Sequence, residues 1–411
     1  MSNKAVKLIE ETEKELAPVF ARMENVELIC QRRVLEAFRS NRIAARHFAG
    51  TTGYGYDDEG RDKLDRIFAE VMQAEKAVVV PQLSSGTHTI FSALSAILRP
   101  GDVILSAVGT PYDTLLEAIG ITGNAKGSLK EFGIEYRQIE LDANGDVDLD
   151  SLKRELAGKP RIVYFQRSRG YAWRNSILPS EMKPAFDLVK ELSPESVIMV
   201  DNCYGEFTQA DEPTAFGADI IMGSLIKNPG GGIAHTGGYI AGRADLMEMV
   251  ENRITVPGIG REAGCYPAGY LPYYQGIFLA PHVVCQALKT AALFAGAFEK
   301  LGLMSMPASD SERSDIVQAL RFNKKEQLIE FCRIIQSVSP VDSFVVPEPW
   351  AMPGYTDEVI MAAGTFIQGA SIELTADAPI REPYTAYIQG GLTYSHGRIA
   401  AETVLKSLIN E

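Results

Sequence analysis

Apolar runs recur through the middle of the chain, and most of them end in small or acidic residues. They are KAVVVPQLSSG, GDVILSA, RIVYFQRS, SVIMVDN, ADIIMGS and GGYIAG. Short runs bounded by turn-forming residues are typical of buried β-strands. Helical patterns such as THTIFSALSAIL and SEMKPAFDLVKELS lie between several of them. This alternation predicts an α/β fold with a mostly parallel central sheet covered by helices.

The sequences that flank this alternation indicate two further parts. Before it, the chain begins with an amphipathic helical pattern. After it, the apolar helical pattern FLAPHVVCQALKTAALFAGAFEKLG could link two lobes. The rest mixes the helical patterns KKEQLIEFCRIIQSV and RIAAETVLKSLIN with the strand-like pieces FIQGASIELT and YTAYIQGGLTY, as a smaller α+β domain does. We predict an N-terminal helical segment (1–60), a large domain (61–280), and a linking helix with a small C-terminal domain (281–411).

Length and composition indicate an ordinary globular protein. The chain has 411 residues, 46% hydrophobic and 23% charged, so it exceeds the usual size of one hydrophobic core. No run is long and apolar enough to span a membrane, and the first residues lack the apolar core of a secretory signal. We therefore expect a soluble protein of the cytoplasm without a membrane partner.

Cysteine and charge patterns exclude further classes of protein. The five cysteines are scattered without CxxC spacing, which argues against a disulfide framework and against a zinc site, so no metal is expected. The net charge of −13 is spread along the chain and disfavours nucleic acid as a partner. Reduced thiols and a small-molecule ligand fit these patterns best.

Polar residues follow two neighbouring predicted strands. SVIMVDNCYGEF brings Asp201, and then Tyr204, to the carboxyl edge of the sheet, where ligands of open α/β sheets collect. The next run, ADIIMGSLIK, ends in Ser224 and Lys227 and is followed by the turn-rich NPGGG. Such an acid is often only a turn former or helix cap, and a lysine is usually a solvated surface cation. The short connection TQADEPTAFG nevertheless allows acid and amine to approach one bound molecule.

The turn SSGT lies where a predicted strand passes into an amphipathic helix. Free backbone N–H groups and the helix dipole at such a start attract a phosphate, which makes Ser85, Gly86 and Thr87 candidate ligands. The alternative is that Ser85 or Thr87 only caps the helix. The chain has no GxxxxGK[ST] Walker loop, and the missing GxGxxG fingerprint disfavours a nicotinamide dehydrogenase.

A phosphate cradle, an acid and an amine on one sheet edge together meet the needs of pyridoxal 5'-phosphate. The phosphate anchors the cofactor, Asp201 keeps the pyridine nitrogen protonated, and Lys227 forms the imine that the substrate replaces. Tyr112, in GTPYDTLLEAIG, is the candidate aromatic residue over the ring. A half-buried loop tyrosine without a ligand is the alternative for this residue.

Over nearly the whole chain, the order of these motifs resembles the cystathionine and methionine gamma-lyase families, which are pyridoxal phosphate enzymes of the aspartate-aminotransferase-like fold (fold type I). The resemblance implies SSGT and Ser224 as phosphate ligands and Tyr112 as the stacking residue. It implies Asp201 as the pyridine partner and Lys227 as the Schiff-base lysine. SLIKNPGGGIAHTGGYIAG and IREPYTAYIQGGLTY are most similar to the subgroup of methionine gamma-lyase related or aluminium resistance proteins.

The resemblance also implies an oligomer. GTTGYGYDDEGRDKLDRIFAEVM is similar to a segment whose tyrosine reaches the phosphate of a neighbouring subunit, so Tyr54 and Tyr56 are candidates for that contact. A homo-oligomer, either a dimer or a tetramer, would then share its active sites between subunits. Two departures from the lyases concern the site: Ile226 precedes the lysine where a hydroxyl residue is frequent, and Gln389 falls near the position of an expected carboxylate-binding arginine.

Arginines elsewhere are therefore candidates to bind the carboxylate of a substrate. We predict that Arg381, in PIREPY, holds it through two parallel hydrogen bonds. Arg167 and Arg169, in FQRSRGY, are the alternatives. Surface arginines without a ligand would need no such explanation.

The activity that the resemblance implies is carbon-sulfur lysis of a small sulfur-containing amino acid such as cystathionine, cystine or methionine. Lys227 would remove the Cα proton, and Lys227 or Tyr112 would move a further proton at Cβ if the leaving group is on Cγ. The sequence leaves β- and γ-elimination open. An aminotransferase, racemase or decarboxylase shares the same lysine and acid, and a non-catalytic metal-tolerance or ligand-binding protein could retain the fold.

Overall fold

The structure, a computed structural model, describes residues 2–352 and 357–410, and ten α-helices lie in these ranges. They are α1 (Ser2–Ser40), α2 (Glu59–Val71), α3 (Gly86–Ile97), α4 (Asp113–Ile119), α5 (Leu149–Leu156), α6 (Pro179–Leu192), α7 (Ala244–Ile254), α8 (Leu271–Lys300), α9 (Lys325–Ser337) and α10 (Tyr394–Asn410).

The strands of the described ranges form two sheets. The larger contains β1 (Lys76–Val80), β2 (Val103–Ser106), β3 (Glu135–Gln138), β4 (Ile162–Gln166), β5 (Val197–Asp201), β6 (Ile220–Ser224) and β7 (Gly238–Gly242). The smaller contains β8 (Ser305–Met306), β9 (Val317–Arg321), β10 (Val359–Ala362), β11 (Thr375–Pro379) and β12 (Thr385–Gln389).

The larger sheet confirms the predicted α/β fold. Its strand order is β1-β7-β6-β5-β4-β2-β3, and only the pairs made by β7 are antiparallel. The six predicted strands are all present. Strand β3 was not predicted, because its residues EYRQ alternate between exposed and half-buried at the sheet edge and form no apolar run.

The direction of the strands brings the candidate residues to one edge. β5 and β6 are parallel neighbours, with Asp201 paired to Met222, so Asp201 and Ser224 end adjacent strands. β1 is antiparallel to β7, as β6 is, and therefore runs in the same direction as β6. The turn SSGT after β1 consequently lies at the same carboxyl edge as the ends of β5 and β6.

The smaller sheet is antiparallel, with the order β10-β11-β12-β9-β8, and α9 and α10 pack on it. β12 lies within the predicted strand YTAYIQGGLTY. The predicted strand FIQGASIELT is wrong, since only Thr375 belongs to β11. The Glu373 carboxylate accepts the N–H groups of Phe366 (2.9 Å) and Ile367 (3.0 Å), which closes this segment into a loop.

The apolar helix α8 packs in the cores of both sheets. Its Ile277 packs in the core of the larger sheet, whereas Phe294 packs with the smaller one. By length and composition alone α8 could cross a membrane, but 72% of its most apolar stretch is buried inside the protein. Helix α1 also contacts both cores, through Val34 and Ile9. The domain boundaries at 60 and 280 stay predictions.

Candidate active site

Lys227 follows β6 in a loop that is tied to the chain after β5. The Asn228 side chain donates hydrogen bonds to the backbone carbonyls of Tyr204 (2.9 Å) and Glu206 (3.0 Å). The Lys227 Nζ lies 3.9 Å from the centroid of the Tyr204 ring, a cation–π contact. Tyr204 has φ +70°, a strained backbone conformation for an aromatic residue that tends to occur at functional sites. The Lys227 amine therefore lies against the face of the Tyr204 ring.

A single cavity of about 230 Å³ brings most of the predicted site together. The predicted residues that line it are Ser85, Gly86, Thr87, Tyr112, Asp201, Ser224 and Lys227. They come from the ends of β1, β5 and β6 and from the loop before α4. The cavity thus lies at the carboxyl edge of the sheet, where ligands of open α/β sheets were expected. The chemical role of each residue stays a prediction.

The start of α3 offers backbone donors to this cavity. Ser85 caps the helix, because its Oγ accepts the N–H of His88 at 3.0 Å, so the capping interpretation of this serine is confirmed. The first N–H groups of a helix have no acceptor within the helix, and those of Gly86 and Thr87 belong to this set. The Thr87 hydroxyl contacts that of Thr114 at 2.5 Å. An anion at this helix start would also meet the positive end of its dipole.

Gly86 leaves open the space between the helix start and the lysine. A Cβ at Gly86 would lie 3.4 Å from Cys203 Sγ, 3.6 Å from Ser224 Cβ and 3.9 Å from Lys227 Nζ. The cavity therefore combines backbone donors, several hydroxyl groups, an amine and a buried carboxylate around a space that a methyl group would narrow. This donor set fits pyridoxal phosphate.

Replacing Gly86 with alanine should weaken cofactor binding without unfolding the protein. The added methyl group makes only ordinary van der Waals contacts, so we expect a melting temperature within a few degrees of the parent. The dissociation constant for pyridoxal phosphate should rise about tenfold or more, about 1.4 kcal/mol, in an absorbance titration. Ser92→Ala, on the same helix but outside the cavity, is the control. Equal affinities of both variants would contradict the assignment of this turn.

Burial governs the charge of the two central ionisable groups. Burial raises the pKa of Asp201, whereas nearby Lys227 opposes the shift. The Oδ1 atom of Asp201 accepts the N–H of Cys203 (3.1 Å), and Oδ2 accepts the Tyr164 hydroxyl (3.4 Å). Burial disfavours the charged form of Lys227, but Cys203, Tyr204 and Asp201 outweigh it and raise the pKa of the amine. The buried carboxylate would gain from a further cation, such as a protonated ring nitrogen.

A second cavity, of about 530 Å³, adjoins the first and shares Tyr112 with it. Its lining includes both predicted substrate arginines, Arg169 and Arg381. The Tyr112 backbone N–H donates to Gln166 Oε1 at 2.7 Å, which fixes the tyrosine loop on the end of β4. A molecule that extends from Lys227 past Tyr112 would reach these arginines.

The arginines differ in what they can still bind. Arg381 is half exposed and pairs with Asp357 at 2.9 Å. Arg169 is buried, donates to the Met306 carbonyl (2.7 Å), and has an Nε without a hydrogen-bond partner among the described residues. Arg167 instead bonds four side chains inside the protein, and this indicates a structural role. They are Ser314, Asn202, Glu212 and Thr208.

Tyr54 and Tyr56 do not line either cavity of their own chain. Their rings stack on each other, with centroids 5.3 Å apart, and they are 72% and 61% exposed. Within one chain the structure therefore does not bring them to Lys227. Their predicted contact with a neighbouring subunit stays a prediction.

Some residues of the first cavity were not among the predicted ligands. Cys203 and Tyr204 lie two and three residues after Asp201 in VDNCY, and Gln166 ends the apolar run RIVYFQ. Gln166 could have been predicted in the same way as Asp201, because it also lies at the carboxyl end of a buried strand. No sequence signal marks Gly369, which reaches the cavity from the loop before β11 through tertiary packing.

Comparison with known proteins decides the family. The sequence model of the methionine gamma-lyase family matches residues 5–409. The chain belongs to this family. An uncharacterised protein of Bacillus subtilis (strain 168), YnbB, is 48% identical over 402 residues, which make up 98% of this chain and 96% of the relative. The resemblance seen in the sequence is thereby confirmed.

Solved structures support the same assignment. A carbon-sulfur lyase involved in aluminium resistance from Clostridium novyi NT is 48% identical, with a TM-score of 0.95 over 99% of this chain and 96% of that chain. The pyridoxal-5'-phosphate dependent protein YhfS from Escherichia coli is 17% identical, with a TM-score of 0.62 over 95% of this chain and 97% of that chain, and shares the fold. The predicted fold type I is confirmed, and both the family and the Clostridium novyi relative are named as lyases.

Proposed function

We propose that this member of the family uses pyridoxal 5'-phosphate to eliminate a sulfur-containing group from a small amino acid, at Cβ or Cγ. The observation that carries the proposal is the single cavity that unites Lys227, Asp201 and the SSGT turn. The Clostridium novyi relative is named as a carbon-sulfur lyase, which agrees with this chemistry.

The cavity residues divide into anchors for different parts of the cofactor. The start of α3 and the Ser224 hydroxyl would hold the phosphate, and Tyr112 would lie over the ring. Asp201 would accept the hydrogen of the pyridine nitrogen, and Lys227 would carry the imine. When bound, pyridoxal phosphate supplies an electron-accepting ring that stabilises negative charge at the Cα of an amino acid.

Proton transfer falls to residues whose positions are set by the fold. Once the substrate amine has taken its place, Lys227 holds a free amine that accepts the Cα proton. The Tyr204 ring, 3.9 Å from Nζ, limits the directions in which this amine can move. For elimination at Cγ a second proton must move at Cβ, and Lys227 or Tyr112 would transfer it.

The substrate carboxylate is assigned to Arg381. Its side chain is 53% exposed and Asp357 binds one end of the guanidinium group, so the other end can pair with a carboxylate in the second cavity. Arg169 is the alternative, because its Nε is buried without a partner in the described part of the chain.

Arg381→Ala should raise KM for the amino-acid substrate about 10- to 100-fold, the loss expected for hydrogen bonds to a charged group. The change should leave kcat and the cofactor absorbance nearly unaltered, because Arg381 does not line the cavity around Lys227. Arg333→Ala removes a comparable ion pair with Glu348 and is the control. An unchanged KM in Arg381→Ala, with a raised KM in Arg169→Ala, would move the role to Arg169.

We also propose a homo-oligomer in the cytoplasm. The exposed, stacked Tyr54 and Tyr56 would reach the phosphate site of a second copy, which would explain why large aromatic rings remain uncovered in one chain. All five cysteines are free thiols, as is usual in a reducing compartment. A monomer in light scattering that still retained the cofactor would exclude the shared site.

The function is tested by a substrate panel. The purified protein, loaded with pyridoxal phosphate, is incubated with cystathionine, cystine or methionine, and keto acid, ammonia and thiol are measured. Elimination should yield keto acid and ammonia together with a released thiol, without an added amino acceptor. Keto acid that forms only when an amino acceptor is supplied would identify an aminotransferase and refute the proposal.

A further inference from the structure

A second buried acid, Glu206, lies beneath the strand that leads to Lys227. Its side chain is fully buried, and the Tyr239 hydroxyl donates to its Oε1 at 2.9 Å. Gly223 of β6 leaves the space that Oε1 occupies, since a Cβ there would overlap with this oxygen. Glu206 has no role in the proposed function, yet it fits behind β6 only because position 223 is a glycine.

The surroundings of Glu206 favour a neutral carboxylic acid. No donor among the described residues reaches its Oε2, which is buried. Arg167, a buried cation nearby, pairs with Glu212 at 3.4 Å and bonds Asn202 at 2.8 Å. An ionised Glu206 would therefore be a buried charge without a salt bridge in the described part of the chain, which is unfavourable.

The direction of its pKa agrees with this geometry. Burial raises the pKa of Glu206 to about 8, and the neighbouring Glu212 adds to the shift. The hydrogen bond from its own backbone N–H, the Tyr239 hydrogen bond and the positive charge of Lys227 lower the pKa and oppose this shift. Glu206 would thus keep its proton at neutral pH and lose it in mildly alkaline solution.

Glu206 is coupled to the lysine through both backbone and charge. Its carbonyl accepts the side chain of Asn228, the residue after Lys227. The negative charge of Glu206 is among the influences that raise the pKa of Lys227. Among the described residues, four ionisable groups act on Glu206, namely Tyr239, Glu212, Arg167 and Lys227. Lys227 is in turn influenced by Cys203, Tyr204, Asp201 and Glu206.

We propose that Glu206 is a positioning residue that holds a proton behind β6 and, when it releases this proton to solvent, stabilises positive charge on the Lys227 nitrogen. The only bond that changes is the O–H bond of the carboxylic acid. The inference rests on the proposed function as far as Lys227 carries the cofactor. The protonation of Glu206 itself is independent of any cofactor.

The first test uses the apoprotein and the isosteric variant Glu206→Gln. The pKa of Glu206 is higher in the folded chain than the value near 4.3 of an unfolded one, so the wild type loses stability as pH rises from about 4.5 to about 8. Glu206→Gln has no carboxyl group at this position and does not lose stability in this way. The difference in melting temperature, Glu206→Gln minus wild type, should therefore increase between about pH 4.5 and about pH 8 and stay constant above that range.

Glu191→Gln, exposed on α6, is the matched control and should show a constant difference. The difference for Glu206→Gln should rise up to about pH 8, so a constant difference between pH 5 and pH 9 would refute the buried neutral acid. If Glu206→Gln does not fold, Tyr239→Phe replaces it. Loss of the Tyr239 hydrogen bond should raise the pKa of Glu206 further, so the stability of Tyr239→Phe should keep falling to a higher pH than that of the wild type. The same pH range of falling stability in both proteins would refute the buried neutral acid.

The second test uses the cofactor-loaded protein and titrates its visible absorbance band with pH. Removing the charge of ionised Glu206 should lower the midpoint of this titration by about one pH unit in Glu206→Gln, the size of a charge interaction in a protein interior. Identical titrations, with Lys227 tagged by borohydride in both proteins, would refute the coupling but leave the proposed function intact. Failure to tag Lys227 in either protein would refute the proposed function, while the apoprotein test still decides the protonation of Glu206.

Discussion

Replacing Lys227 with alanine should abolish the visible absorbance of the loaded protein and reduce turnover by about a thousandfold or more. Alanine can neither form the imine nor accept the Cα proton. The chain should still fold, because the lysine lies in a loop after β6 and contributes no side chain to the hydrophobic cores. Turnover with the parent, Lys227→Ala and Lys227→Arg is measured under saturating cofactor.

Lys227→Arg is the matched control for charge. A guanidinium group can keep a cation near the Tyr204 ring and Asp201, but it does not form the imine. Both variants should be equally inactive if the imine is essential. Activity that survives in either of them would show that Lys227 does not carry the cofactor.

Among substitutions of the residues that would hold the cofactor, Asp201→Asn should weaken cofactor binding most, by about 2–5 kcal/mol. It removes the buried carboxylate that would pair with the protonated pyridine nitrogen. The asparagine keeps an acceptor for the Cys203 N–H and nearly the same volume. Burial raises the pKa of Asp201, so its loss should not lower the stability of the apoprotein at neutral pH. Affinity is measured by titrating the apoprotein with pyridoxal phosphate.

Asp219→Asn tests whether any buried carboxylate of the sheet would behave in this way. Asp219 precedes β6 at the opposite edge and pairs with Lys190 (2.6 Å) and Arg243 (3.2 Å). We expect this variant to lose stability and to keep its cofactor affinity. Equal effects of the two variants on affinity would contradict the role of Asp201.

The core of the fold was predictable because buried parallel strands need uninterrupted apolar runs. The six predicted strands satisfied this rule, whereas the edge strand β3 did not, as its residues EYRQ face solvent in part. The loop 366–373 was wrongly predicted as a strand for the opposite reason. It is apolar enough for a strand, but a buried carboxylate, Glu373, satisfies its backbone N–H groups instead of a neighbouring strand.

The candidate site was predictable where one rule of topology suffices. The carboxyl edge of a parallel sheet selects Asp201, Ser224 and Lys227 without knowledge of side-chain packing. The ranking of Arg381 and Arg169 depends on how the smaller sheet meets the Tyr112 loop, which no local pattern encodes. The contact of the Tyr204 ring with Lys227 depends on the positive φ angle of Tyr204, which the sequence does not predict.

The claim that Lys227 carries pyridoxal phosphate is tested most directly by trapping the linkage. The loaded protein is reduced with borohydride, digested, and its peptides are sequenced by mass spectrometry. We expect the visible band to disappear and one modified peptide to contain SLIKNPGGG with the cofactor on Lys227. A protein that takes up no pyridoxal phosphate, or a cofactor found on any other lysine, would contradict the account.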